Sequence, residues 1–222
     1  MSQPFGDTHV WRGMRARLLV AACLLAPVLA QPAMAANGVR KSISTRPYVI
    51  SGHDERGLLR QMRRLGPRVG GKPALARSSM KARYHARMRQ GRNGCRISSF
   101  QARVHYIVIL PKVRNPRALS AAARKRWRHF HRRLRTHEAR HIAIWDKCLQ
   151  QVRRTLPKLR ARNCTALKRK LRARYHAIMQ ACGKKHDAFD AHEQHVATSL
   201  PFIRAAYAPD SHRKARKRKH PR

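Results

Sequence analysis

Residues 137 to 141 read His-Glu-Ala-Arg-His. On an α-helix, side chains four positions apart stand on one face, about 6 Å apart along the axis. The imidazoles of His137 and His141 would then reach a single ion, and zinc suits neutral imidazole nitrogen in a tetrahedral site that keeps one position for water. Glu138 lies one residue beyond the first histidine, where its carboxylate reaches that water and takes its proton as the ion lowers the water's pKa. The chemistry this pattern carries is hydrolysis of a peptide bond. In a chain with 14 histidines and three glutamates among 222 residues, the five-residue pattern arises by chance about 0.01 times. The competing reading is a pair of surface histidines beside a solvated glutamate.

A third protein ligand has to come from elsewhere, and three of the nine acids, Asp187, Asp190 and Glu193, crowd into the stretch Lys185 to His195. His195, Asp190, Glu193 and His192 are all chemically suitable. The plainer alternative is an acidic patch that pairs with the surrounding arginines. The net charge of +43 disfavours a divalent cation, but screening beyond ~8 Å at physiological salt leaves the decision to local acids. An oxyanion donor is also needed, with Tyr175, His176 and His192 as candidates.

These residues need elements to hold them. From Ser120 the apolar period is 3.6: Trp127, Phe130, Leu134, His137, His141, Ile144, Trp145, Cys148, Leu149 and Val152 describe one buried stripe on a long helix that Pro157 ends. A second helix begins near Asn163 as N-cap and buries Leu167, Leu171, Tyr175, Ile178 and Met179, making an antiparallel helical hairpin. Upstream, Tyr48 to Ser51 reads as a short strand, and Gly57 to Leu65 as a helix closed by Gly66-Pro67. Alternation from Met80 to Arg89 gives a strand with one wet face; the turn Gln90 to Gly94 leads to a second strand, Cys95 to Leu110, closed by Pro111. The expected class is α+β, a small antiparallel sheet and one N-terminal helix packed on the helical hairpin.

At the N-terminus, Arg12, Arg15 and Arg17 precede an apolar run from Leu18 to Ala30 and a small-x-small site ending at Ala35, the pattern of a cleaved export signal. Met14 is an alternative start. The run is too short for the ~20 residues that span a bilayer. The chain therefore divides into a signal peptide (1–35), a flexible lead-in (36–46), one domain (47–208) and a basic, disordered tail (209–222). Cys95, Cys148, Cys164 and Cys182 remain after cleavage, an even number that suits two disulfides in an oxidising compartment, with three pairings open. The charge must attract polyanions without specificity. Anionic envelope polymers or lipids are expected, whereas specific nucleic-acid binding is disfavoured by export and by sparse aromatics in the basic runs.

Together the motifs resemble a bacterial domain-of-unknown-function family regarded as secreted zinc-dependent proteases. The likeness covers roughly residues 47 to 200: Tyr48-Val49-Ile50-Ser51-Gly52, the Leu65-Gly66-Pro67 turn, the hairpin around Cys95 ending at Leu110-Pro111, Trp127 ahead of His137-Glu138 and His141, and Cys164-Thr165-Ala166-Leu167. That family closes with an aromatic-Asp pair and a histidine five residues later, which places Phe189-Asp190 and His195 on it. The resemblance implies a zincin-like fold, a Zn2+ ion on His137, His141 and His195, Asp190 as a ligand or its supporting partner, and Glu138 as general base. Glu193 stands where a Thr is usual and Val196 where a Gly is usual. The resulting expectation is a periplasmic or secreted monomeric zinc metallopeptidase acting on peptide or protein substrates. The alternative is a cationic envelope-binding protein with a structural or vestigial zinc site.

Overall fold

In a computed structural model, residues 38–209 are described; the expected export signal and nearly all of the basic tail lie outside them. Strand β1 (Gly38–Ile50) leads to helix α1 (Glu55–Leu65), the small β2–β3 hairpin (Arg68–Val69 and Lys72–Pro73), and the long strands β4 (Arg77–Gly91) and β5 (Gly94–Val113). Helix α2 (Ala121–Thr155), the two-residue strand β6 (Arg160–Ala161), helix α3 (Cys164–Ser199) and helix α4 (Pro201–Tyr207) complete the order. The four helices and small sheet are a mixed α/β arrangement.

The sheet departs from the expected all-antiparallel form. β5 lies at its centre, with β4 antiparallel on one side and β1 parallel on the other, from Gly38 opposite Gln101 to Ile50 opposite Val113. Residues 38–46, read from sequence as a flexible lead-in, are the first part of this strand. Their composition hides it, because Arg40, Lys41, Ser42 and Ile43 are exposed on an edge strand, where charge is tolerated and backbone pairing does the holding. Pro111 does not close β5 either. β4 has already ended at the Arg77–Ile109 pair, so the proline falls where only β1 remains as partner. At the β4–β5 turn Gly94 has φ +100°, and a Cβ there would meet the Ala161 carbonyl oxygen at 2.5 Å.

Helix ends follow local chemistry. The Ser120 hydroxyl accepts from the Ala123 amide at 3.2 Å and caps α2, and the Asn163 side chain accepts from the Ala166 amide at 2.8 Å, capping α3 as its sequence predicts. The helices bury their stripes in two main clusters. One joins Ile50, Leu58, Met62, Trp127, Phe130 and Phe202, where the Phe130 and Phe202 rings stack at 4.4 Å. The other joins Phe100, Val152, Leu167, Leu171 and Ile178 around Cys95, Cys148 and Cys182. The cysteines pair Cys95–Cys164, tying β5 to the start of α3, and Cys148–Cys182, tying α2 to the middle of α3. Both bonds fit an oxidising, extracytoplasmic location. No helix among the described residues is long and apolar enough to cross a membrane.

Helix α3 runs on through Gly183. A mid-helix glycine costs about 1 kcal/mol, and here the position faces open space one residue beyond a disulfide that already fixes the helix. From Gly183 to Ser199 no residue is buried. This stretch is pinned at one end by Cys182 and at the other by Phe202 of α4, which is fully buried.

Candidate metal centre

Helix α2 presents His137, Glu138 and His141 to a cavity of about 610 Å³ whose other walls are Ala76 to Met80 of the β4 segment and the unburied stretch of α3. The helical period makes this possible: Phe130, Leu134, His137 and His141 follow one another at spacings of three and four on the same stripe. The lining also includes the apolar side chains of Leu75, Phe130, Leu134, Leu200 and Ile203, which belong to or pack on the first core cluster.

Three donor atoms converge there. His141 Nε2 lies 3.1 Å from His137 Nε2 and 3.0 Å from Asp190 Oδ1, and His137 Nε2 lies 3.3 Å from the same oxygen. His137, His141 and Asp190 form the group of His, Cys and acidic side chains among the described residues whose geometry could hold a metal ion. Donors at 2.0–2.1 Å from a tetrahedral ion stand about 3.3–3.4 Å apart, so a triangle of 3.0–3.3 Å edges is close to the size required. The chemistry agrees: two unprotonated imidazole nitrogens and a carboxylate oxygen repel one another at this range unless a cation, either shared protons or a metal, sits among them.

Around the triangle each group has a support. Glu138 is 3% exposed and accepts a hydrogen bond from the Ser78 hydroxyl at 2.7 Å. Glu193 is ion-paired to Arg133 at 3.0 Å and stands 3.8 Å from His137 Nδ1, on the side of that ring away from the triangle. His141 Nδ1 lies 2.8 Å from His186 Nδ1. Burial holds His186 below the usual imidazole range and neighbouring His141 adds to this, while Asp190 and Asp187 act in the opposite sense.

The structure thus brings His137, Glu138, His141, Asp190 and Glu193 together and leaves His195 apart. His195 is exposed and does not line the cavity, and its backbone carbonyl accepts a hydrogen bond from the Thr198 hydroxyl. Five residues along an α-helix turn the side chain by roughly 140°, so Asp190 and His195 cannot share the inner face of α3. Glu193 serves Arg133 and His137 instead of joining the triangle. Of the suggested oxyanion donors, Tyr175 packs on Tyr84 at 4.9 Å in the second core cluster, neither it nor His176 reaches the large cavity, and His192 lines a shallower depression beside His137 and Glu193. Two further groups, His186 and Ser78, flank the triangle and Glu138. His186 has a signal in the sequence, since it precedes Asp190 by one helical turn; Ser78 has none, because only the packing of β4 on α2 brings it to Glu138.

The family model described as "Bacterial protein of unknown function (DUF922)" matches residues 45–196, which span β1 to the far end of α3. The chain belongs to this family. The matched span contains the DUF922 domain's whole donor triangle together with Ser78 and His186. No curated protein and no solved structure matches the chain.

Proposed function

We propose that this DUF922 protein is an exported zinc-dependent peptidase of zincin-like design, with His137, His141 and Asp190 as its metal ligands and Glu138 as general base. The observation that carries the reading is the donor triangle, 3.0–3.3 Å on each edge, in a cavity that Glu138 shares. Bound there, zinc would supply a Lewis acid that polarises a substrate carbonyl and acidifies water. The rest falls to the chain's own groups. The Ser78 hydroxyl donates to one Glu138 carboxylate oxygen and leaves the other free to accept a proton. In the sheet order β4 is an edge strand, and its segment from Arg77 to Met80 lines the cavity. An extended peptide can hydrogen-bond to that open edge and lie across the triangle. The apolar part of the cavity lining, around Phe130 and Leu134, suits a bulky side chain of such a peptide.

Glu138→Gln provides the test. With a denatured protein mixture as substrate and mass-spectrometric detection of new termini, the variant should keep one zinc per chain while turnover falls by about 10²- to 10⁴-fold. Equal cleavage by wild type and variant, or zinc absent from the wild type, would refute the peptidase.

A second property is favoured by the outer face of the sheet. Arg40, Arg103 and Arg83 are exposed in one row across β1, β5 and β4, and none of these strands carries an acid. Like charges side by side on a sheet are unfavourable, and an anionic partner would relieve them. For an exported chain we infer that this partner is an anionic envelope polymer or lipid. Retention on immobilised lipopolysaccharide should survive more salt than retention on DNA; the reverse order would point to nucleic acid.

A further inference from the structure

We propose that His186 is the positioning residue of the metal centre, accepting a hydrogen bond from His141 Nδ1–H so that His141 Nε2 is held unprotonated and aimed at the ion. The proposal rests on the zinc reading above and deepens it.

A neutral imidazole has one N–H, and only the other nitrogen can bind a metal. His141 Nε2 is the atom in the donor triangle, so the proton of a ligating His141 must sit on Nδ1. That nitrogen faces His186 Nδ1 at 2.8 Å, a normal hydrogen-bond length. With His141 as donor, His186 Nδ1 must be the acceptor, which puts the His186 proton on its Nε2. Ligating histidines commonly have an outer partner of this kind, which fixes tautomer and ring orientation.

The surroundings hold His186 in place. Its ring lies 4.5 Å from that of Trp145 and 5.0 Å from that of His141, and its Nε2 is 4.0 Å from Cys182 Sγ. Cys182 is bonded to Cys148 on the facing helix, so the disulfide lies one turn from the orienting histidine on α3 and two turns from the ligand on α2. His186 stands outside the donor triangle, because its near nitrogen meets His141 Nδ1 and not the ion-facing Nε2. Both helices use the same device: α2 supplies two ligands one turn apart, and α3 supplies a ligand, Asp190, one turn from the residue that orients the other helix's ligand.

Three variants of the full exported chain separate this role from packing, read by competition for Zn2+ against a chromogenic chelator. His186→Leu fills the space without an acceptor and should weaken zinc binding by about 10- to 100-fold. His186→Asn, whose side-chain oxygen falls where Nδ1 stood, should recover most of that loss; His186→Gln, whose amide reaches only the Nε2 position, should not. The thermal midpoint of the zinc-free proteins provides the control for folding, and the Asn–Gln contrast stands even if the Leu variant fails to fold. Zinc affinity unchanged in His186→Leu, or Asn and Gln behaving alike, would overturn the positioning role. A wild type that binds no zinc would overturn the metal reading itself, and the positioning role with it.

Discussion

Helix α2 buries seven side chains spread from Ala123 to Val152, and its candidate ligands are the sheltered ones, with His141 12% and His137 26% exposed. Helix α3 buries four, none beyond Cys182, and its candidate ligand Asp190 is 54% exposed. One half of the centre is therefore part of the core. The other is a span of helix carried past the cavity between two anchors, the Cys148–Cys182 disulfide and the Phe202 side chain under Trp127 and Phe130. Stability is not uniform along such a structure, and the difference implies that α2 presets its donors whereas α3 positions its donor only while both anchors hold.

The strongest way to break the comparison is to remove one donor from each half. His141→Ala should abolish stoichiometric zinc, and Asp190→Asn should weaken binding without abolishing it, measured by metal analysis after dialysis. His195→Ala should bind zinc as the wild type does. Loss of zinc from His195→Ala with retention in Asp190→Asn would reverse the assignment on α3.

Next in size are the anchors. The two disulfides close loops of similar order, with sequence separations of 34 for Cys148–Cys182 and 69 for Cys95–Cys164, so chain entropy makes each worth roughly 4 kcal/mol. Cys148→Ser with Cys182→Ser should lower both unfolding stability and zinc affinity. Cys95→Ser with Cys164→Ser should cost similar stability in denaturant titrations and leave zinc affinity nearly intact, because that bond ties the far end of α3. At the other anchor, Phe202→Ala should destabilise by about 3–5 kcal/mol and loosen the segment from Gly183 to Ser199, seen as faster amide exchange there than in α2.

The smallest effect should come from Arg133→Ala. Its pair with Glu193 is partly exposed on both sides, at 35% and 21%, so stability should change by less than about 1 kcal/mol. A larger loss in thermal unfolding would mean that this ion pair, and not only the two anchors, holds α3 against α2.

Much of the α2 half was legible because one helix contains its own geometry. The His-Glu-Ala-Arg-His spacing and the apolar stripe are both local, and each has its counterpart in the structure. The hairpin of β4 and β5 was legible for the same reason, from alternation and a turn. β1 was not, since a polar edge strand is recognised by what its backbone pairs with, 63 residues downstream, and its side chains carry no sign of that. Nor could residue chemistry choose among His195, Asp190, Glu193 and His192, because all four are competent donors and the choice depends on which face of α3 turns inward.

By itself, then, the sequence determined two helices, a hairpin, two histidines one turn apart with a glutamate beside them, and four cysteines able to pair. Tertiary structure alone decided the parallel strand, the cysteine pairing, the placing of Ser78 against Glu138, and the placing of Asp190 beside His137 and His141 with His186 behind them. The physical reason is range: spacing along a helix fixes what lies within a turn or two, whereas the rotation of one helix against another is set by the packing and cross-links of the whole domain.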